Sequence, residues 1–554
     1  MRAPHLLVPV LPFLICSSLA HAQAVSLRTV AISGAPSPIP GASFAALSDP
    51  ILAPDGLVSF WATLSGPDIT TSNDSAWFSE RSGSLSTLAR EGQLFDDATI
   101  TAIPSLAMND ARVGLIVLSL QSPATGTNTN LALAFSNLDS GSEGTLSLIR
   151  RDPTGQPPTF NIPARPALPS PPLPVYWSEG LALRRSDLPD PIVPRSPVPG
   201  ITALGGSETW RFNGIGDPHV NPLGEAVFWA SAGPTGTSIP TNAPQKTGLW
   251  RIANNQTSLL VGEGLQVTGS PPGQLWSSLG SHPRILADGT VLLWAKLAGT
   301  GVSSGNDSSL IEIAPSGTVR GRLDAGQLLP GSSSLRLGPI PANFSANLRG
   351  QVALVAPIRS TPSSTNAALI LTDHASTTII AREGDPAPGL LTDITLTNLQ
   401  TPAINPSGRL AFLAQLRGTP ITPSNNRVLL ATTRDGSLIP VVRTGSPFAT
   451  PEGSTKTIRR IIFQQESGDT GHAAFSTGGR LTFALEFTDN THAIVLASID
   501  CIADFNADAS VDGDDIIDFF AAWDSATPTA DLDASGSVDG DDITTFFEAW
   551  DQGC

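Results

Sequence analysis

Apolar residues along the first five hundred positions come in short runs, such as Val227-Phe-Trp-Ala-Ser and Thr290-Val-Leu-Leu-Trp-Ala, cut every few residues by Gly, Pro, Ser and Thr. Runs of this length, rich in branched and aromatic side chains and bounded by turn residues, predict strands. After residue 501 the period changes. Ile516, Phe519, Phe520 and Trp523, then Ile543, Phe546, Phe547 and Trp550, stand at i, i+3, i+4 and i+7, the spacing of a helix with one apolar face. The pattern predicts an all-β body followed by a small α-helical tail.

Within the body a segment of the form Asn/Ala-x-x-Gly leading into an apolar strand keeps returning. The clearest copies are Asn221-Pro-Leu-Gly-Glu-Ala-Val-Phe-Trp-Ala and Asn405-Pro-Ser-Gly-Arg-Leu-Ala-Phe-Leu-Ala; weaker ones begin at Ala53, Leu286, Asn347 and Ser476, and a decayed one at Asn109. Their fourth positions fall at 56, 112, 224, 289, 350, 408 and 479, so the second interval is twice the first and leaves room for one worn copy near 168. Between these anchors recur a second strand-like piece, Gly248-Leu-Trp-Arg-Ile and Ser309-Leu-Ile-Glu-Ile, and a third, Leu88-Ala-Arg-Glu-Gly92, Leu260-Val-Gly-Glu-Gly264, Ile380-Ala-Arg-Glu-Gly384 and Val442-Arg-Thr-Gly445. Three to four strands per unit is the content of a propeller blade, and radial repetition buries both faces of each blade. The expectation is a β-propeller of seven or eight blades. Stacked β-solenoid and tandem β-sandwich arrangements stay open, because periodicity fixes the repeat and not its closure. The Pro-rich stretch 153–199 reads as a long loop or a strand-poor blade.

These repeats resemble a family of bacterial exported proteins recognised by tandem Asn-x-x-Gly-x-x-Ala-Phe segments and by a variable C-terminal sorting or anchoring module. The resemblance spans about residues 25 to 500 and implies a propeller-like, surface-associated protein, with no chemistry attached.

The charge is local. Of the 48 Asp and Glu that give the chain its formal −17, fourteen lie in residues 501–554, where there is no Lys or Arg, leaving 34 acids against 31 bases in the rest. A nearly neutral body excludes a basic track for nucleic acid, and the acidity points instead to a divalent cation. At the other end, Arg2, an apolar stretch from Leu6 to Leu19 and Ala20-His21-Ala22 form the three parts of a secretory signal, cleaved after Ala22. A lipoprotein reading of Cys16 meets Ile15 where a small side chain is wanted. No later run is long enough to span a bilayer. The expected divisions are a signal peptide, 1–22, a β-repeat body, 23–500, and a tail, 501–554, of a secreted or cell-surface protein. Removing the signal leaves Cys501 and Cys554, which bracket the tail; an oxidising compartment favours their disulfide, and closing that loop stabilises a small module by roughly 4 kcal/mol.

The tail carries two twelve-residue loops, Asp504-Phe-Asn-Ala-Asp-Ala-Ser-Val-Asp-Gly-Asp-Asp515 and Asp531-Leu-Asp-Ala-Ser-Gly-Ser-Val-Asp-Gly-Asp-Asp542, each running into a predicted helix. Oxygen donors at loop positions 1, 3, 5, 9 and 12, with a backbone carbonyl at 7, are what a hard cation needs to replace its water shell. The candidate ligands of two Ca2+ ions are Asp504, Asn506, Asp508, Ser510, Asp512 and Asp515 in the first loop, and Asp531, Asp533, Ser535, Ser537, Asp539 and Asp542 in the second. Asp in place of Glu at position 12 sets an extracellular affinity, on the order of 0.1 to 1 mM, and Ala509 stands where the turn glycine is usual.

Residues 501–554 resemble a dockerin, the variety ending in Gly-Cys, through Cys501-Ile-Ala-Asp-Phe-Asn, the two EF-hand-like loops and Gly553-Cys554. The resemblance implies attachment to a cohesin-like or other cell-surface protein. Gly513-Asp514 and Gly540-Asp541 stand where cellulosomal dockerins carry a Ser/Thr pair, which points away from a cellulosomal partner.

Catalytic signals are sparse. Gly301-Val-Ser-Ser-Gly305 matches a nucleophile-elbow pattern without a following helix, so Ser303 reads as a loop residue. His219, His282, His374, His472 and His492 have no metal spacing, and the first two read as packing or capping groups. Glu91, Glu263 and Glu383 recur in the Glu-Gly turn, either as an acidic ring able to work on a glycan or as turn-holding groups that every unit needs. Trp61, Trp229, Trp250, Trp276 and Trp294 read as core between units. The expectation is therefore a non-enzymatic binding or scaffold protein with no catalytic residues; the alternative is a secreted carbohydrate-active enzyme, a glycoside hydrolase or polysaccharide lyase, carrying a dockerin.

Overall fold

The computed structural model describes residues 25–53, 56–80, 84–95, 98–108, 113–121, 128–137, 146–151, 176–178, 183–185, 198–206, 209–216, 218–234, 245–254, 256–359, 362, 365–434, 436–464, 474–476, 478–499, 502–505, 511–532 and 537–552. The signal segment 1–22 with Cys16, the Asn109 repeat, most of 153–199, His472, Cys501, Cys554 and the candidate ligands Asn506, Asp508, Ser510, Asp533 and Ser535 lie outside them.

The protein is mostly β-sheet, with two short helices at its C-terminus. Seven antiparallel sheets of four or five strands follow one another among the described residues. Sheet I spans Ser43–Arg90, sheet II Leu94–Arg151, sheet III Arg211–Gly262, sheet IV Gln274–Asp324, sheet V Ser345–Arg382 and sheet VI Thr395–Arg443. Sheet VII runs from Pro447 to Ser498 and takes in the N-terminal strand Ser26–Ile32. A two-stranded piece, Tyr176–Ser178 with Leu183–Arg185, lies between sheets II and III. The described repeat anchors fall just before the strands that begin at Val58, Ala226, Val291, Val352, Leu410 and Arg480, and the Ala-Arg-Glu-Gly pieces form or end the last strands of sheets I and V.

In sheets I and III to VII the two middle strands are apolar on both faces because both faces are covered, a pattern expected of sheets packed on each side. Neighbouring residues along one strand serve different joints. Leu292 packs toward sheet V and Leu293 toward sheet III, and Phe412 packs toward sheet V while Leu413 packs toward sheet VII. Such clusters join I to II, III to IV, IV to V, V to VI and VI to VII. Trp61, Trp229 and Trp294 pack against them and Trp276 is buried within one, whereas Trp250, expected between units, is buried where sheet III meets the preceding segment 198–204, its indole N–H donating to the Pro199 carbonyl.

The two ends of the body meet. Ser26–Ile32 pairs antiparallel with His492–Ser498 as the last strand of sheet VII. Ala31, Ala484, Ile494 and Leu496 of that sheet share a core with Phe44, Val58, Phe60 and Phe78 of sheet I, and Arg28 is paired with Glu80 across the joint.

The recurrent Asn has a shared task at three joints. Asn405 Oδ1 accepts from Arg409 N at 2.7 Å, fixing its own turn, while its Nδ2 donates to Ser476 O at 2.8 Å in the equivalent turn of the next sheet. Asn221 reaches Leu286 O and Asn347 reaches Asn405 O in the same way, each at 3.1 Å. The residue after the turn glycine adds a second link: Glu225 lies over Gly289, Gln351 over Gly408, Arg409 over Gly479 and Arg480 over Gly56. The last of these crosses from sheet VII to sheet I, so the closing joint is made like the others. Gly479 also has φ +83° and a Cβ there would collide with the Ile499 carbonyl, so this turn needs glycine.

Candidate functional site

Helix α1 is Gly513–Asp524 and α2 is Gly540–Gln552. Asp512 caps α1 by accepting from Asp514 N at 3.0 Å, and Asp515 reaches back to accept from Asp512 N at 2.9 Å, a reciprocal capping box. The second loop repeats it: Asp539 accepts from Asp541 N at 3.0 Å and Asp542 Oδ2 from Asp539 N at 2.8 Å. Asp542 Oδ1 also accepts from Leu532 N at 2.6 Å, tying the end of the loop to its beginning. The Asp541 amide, and after it Ser537 Oγ, which also donates to Asp539, hold the Asp539 carboxyl below its usual range.

The apolar faces meet as their spacing predicts. Phe519 and Phe546 stack with ring centroids 4.4 Å apart and planes within 2°. Ile502, Ala530 and Leu532 complete the buried centre, with Phe505, Phe520, Trp523, Phe547 and Trp550 around it. The Trp523 indole donates to the Asp539 carbonyl at 2.9 Å, linking α1 to the second loop.

At the start of each helix an Asp at loop position 12 is fully buried: Asp515 and Asp542 are both 0% exposed. Burying a carboxylate is costly unless it is paired or holds a cation, and these two gather backbone N–H groups from their own loops. Asp504, Asp512, Asp531, Ser537 and Asp539 are the other candidate ligands among the described residues. No group of three or more His, Cys, Asp and Glu is gathered into a cation cage among the described residues. The donor set fits a hard cation chemically, since it is all oxygen and strongly acidic.

Other candidates find structural partners in the body. Ser303 lies in the turn between Val291–Gly299 and Ser308–Ile313, where its N–H and hydroxyl both donate to Asn306 Oδ1. His219 is buried and its Nδ1 accepts from Ile285 N of sheet IV at 3.1 Å. Glu383 Oε1 accepts from Asn398 N at 2.7 Å and Glu263 Oε1 from Leu279 N at 3.4 Å, each in the following sheet. Burial, and after it the nearby Asp74, push the Glu91 carboxyl up.

Sequence reading missed a further repeat. Ile69-Thr-Thr-Ser-Asn-Asp74, Val302-Ser-Ser-Gly-Asn-Asp307 and Ile421-Thr-Pro-Ser-Asn-Asn426 form the same turn, closed by Asn73, Asn306 and Asn425 accepting from Thr70, Ser303 and Thr422 N–H. Arg90 and Arg443 of the recurrent Arg-x-Gly pieces donate to the Asn73 and Asn425 carbonyls, and Arg382 donates to Thr365 O. The signal was the fixed Asn-Asp/Asn pair.

A run of antiparallel sheets whose first and last strands pair, with turn-to-turn asparagines at three joints and an acidic helix pair at its end, defines the class: a β-repeat protein with a small C-terminal appendage. The chain belongs to the family of unknown function DUF7453, matched over residues 17–152, 177–378 and 373–500. No curated relative matches the chain. Among solved structures it is similar to puromycin hydrolase, at 13% identity and a TM-score of 0.34, over 75% of this chain and 58% of that one. Others are the β-propeller domain of the Trilobed protease from Pyrococcus furiosus (10%, TM-score 0.33, 73% of this chain and 100% of that one) and a Trypanosoma rangeli sialidase in complex with sialic acid (10%, 0.25, 79% and 58%). No activity is carried over from them.

Proposed function

We propose that the protein is an exported, non-catalytic binding or scaffold protein. Its body is a β-propeller of seven or eight blades, and its dockerin-like tail, folded around two Ca2+ ions, attaches it to a cohesin-like or other cell-surface protein. The propeller reading is supported by the shared cores between successive sheets and by the closing strand Ser26–Ile32. The eighth blade is supported by the hairpin 176–185, near the place where the periodicity leaves room for a worn unit.

The observation that carries the calcium reading is the pair Asp515 and Asp542, buried at the same step of two stacked helices in a segment without Lys or Arg. Two buried carboxyl groups in a segment whose charged residues are all acidic call for positive charge to offset mutual repulsion. Ca2+ would be held by the acidic and carbonyl oxygens of the two loops and would neutralise that repulsion, coupling metal uptake to folding of the tail. The alternative, a secreted carbohydrate-active enzyme, requires two carboxylates roughly 5 to 10 Å apart and free to reach a sugar; Glu263 and Glu383 are instead engaged by backbone N–H groups across sheet joints.

Calorimetric titration of the full chain with CaCl2 tests this. The expected result is two equivalents with dissociation constants on the order of 0.1 to 1 mM, one equivalent being lost in Asp515→Asn and the other in Asp542→Asn. Flat heats with unchanged far-ultraviolet circular dichroism end the calcium reading.

A further inference from the structure

Only residues 500 and 501 separate the last described residue of the body from the first of the tail. Sheet VII ends at Ser498, Ile499 donates to the Gly479 carbonyl at 2.8 Å, and Ile499 O accepts from Arg409 Nη1 at 3.4 Å. Three residues later Ile502 and Ala503 are already buried, Ile502 within the core of the helix pair. A Cβ placed on Gly478, in the turn before Arg480–Phe487, would stand 3.3 Å from Ile502 Cδ1. A residue of the tail's own core thus rests on a turn of the body.

Arg434 makes a second contact from sheet VI. It sits in the turn between Arg427–Thr432 and Leu438–Arg443, at the same end of the sheets as the Asn-x-x-Gly turns, because antiparallel strands bring alternate turns to one rim. Its guanidinium lies over the Phe505 ring, 5.9 Å from the centroid, and donates to Thr529 O at 3.3 Å. Phe505 is the second residue of the first acidic loop, and Thr529 stands two residues before the second. One cation from the body is thereby set beside the entrance to both loops of a segment that has no Lys or Arg of its own.

We infer that the tail is docked on the rim of sheets VI and VII through Ile502 against Gly478 and Arg434 against Phe505 and Thr529, and that Arg434 couples this docking to cation uptake. The coupling rests on the calcium reading given above; the docking does not. A fixed guanidinium near two acidic loops offsets part of their repulsion when no ion is bound and opposes the arrival of a divalent ion. Removing it makes cation binding tighter and the docking looser.

The test compares wild type, Arg434→Gln and Gly478→Val, all as the full chain, by CaCl2 calorimetry and by hydrogen exchange of the segment 499–505. Arg434→Gln is expected to bind Ca2+ roughly three- to tenfold more tightly at low ionic strength, less so at high salt. Both variants are expected to exchange segment 499–505 about tenfold faster or more, since protection there reports local opening. Gly478→Val, which leaves the charge in place, is the second route to an undocked tail. If wild type binds Ca2+ and Arg434→Gln matches it in affinity and exchange, the joint is overturned and the calcium reading stands. If wild type takes up no Ca2+, the calcium reading and the coupling fall together. Faster exchange in both variants would then still support the docking, and unchanged exchange would overturn it.

Discussion

A buried histidine shows how single side chains join the sheets. Burial holds the His219 imidazole well below its usual range, the nearby Arg284 adds to the effect, and Nδ1 must keep its lone pair for the Ile285 amide. The unfolded chain takes up a proton near pH 6.5 where the folded chain does not. Its contribution is therefore whole above that pH and shrinks as pH falls toward the folded value, by at most about 1.4 kcal/mol per pH unit. Urea midpoints at pH 7.5 and 5.0 should drop more for wild type than for His219→Gln, whose amide oxygen can still accept from Ile285; equal drops would refute the role. That His219 is a packing or capping group was legible from its place just before an anchor. Its partner was not, because Ile285 lies in the next repeat and one repeat does not show which neighbour it faces. The same holds for Glu263 and Glu383, whose recurrence was visible while their backbone partners in the following sheet were not.

Strands and helices were legible to the degree that their surroundings are simple. Middle strands such as Ala226–Gly233 and Leu410–Arg417 are covered on both faces and read as continuous apolar runs. First strands were not legible: Arg211–Ile215 is half exposed, shifts register between Phe212 and Gly214, and resumes as the two-residue His219–Val220, so neither period survives long enough to be counted. The helix pair was legible because its aromatic residues repeat at one spacing, and the stacked Phe519 and Phe546 follow from it. What the Asn-x-x-Gly turn does could be seen only with two turns side by side. Asn405 is 0% exposed and bonds both to its own turn and to the next. Asn405→Ala strands the Arg409 amide and takes from the Ser476 carbonyl one of its two donors, leaving it the Gly479 N–H, and we expect a loss of about 1 to 3 kcal/mol in urea unfolding. Asn405→Asp keeps the acceptor but turns a carboxylate oxygen toward a carbonyl, so it should be no better than Ala. Ser303→Ala, which removes only an exposed turn hydroxyl, should fall within about 0.5 kcal/mol of wild type. A loss of that size for Asn405→Ala as well would mean that the turns are held by their apolar neighbours alone.

At the scale of the whole molecule the sheets are ordered by the chain, but its two ends are brought together by a segment that carries no repeat signature. Ser26–Ile32 has no anchor motif, and periodicity says nothing about which ends meet, so its pairing with His492–Ser498 could not be read from the repeats. That pairing does three things at once: it covers the edge of sheet VII, places Ala31 and Ile32 in the cores on either side of the sheet, and brings Arg28 to Glu80 of sheet I. A chain lacking residues 25–33 keeps every repeat, and an open array with independent sheets would hardly notice the loss. A closed one exposes the backbone of His492–Ser498 as a free edge and opens the only joint whose two sheets are not consecutive in the chain, among those described. We therefore expect the truncated chain to melt several degrees lower and less cooperatively, and to associate through the bare edge. A synthetic peptide of residues 25–33 added in excess should restore the melting temperature by refilling the position, as binding to the folded state alone must. Truncation without effect on melting, or a fall that the peptide cannot reverse, would show that stability resides in each sheet and its sequence neighbours and owes nothing to the meeting of the two ends.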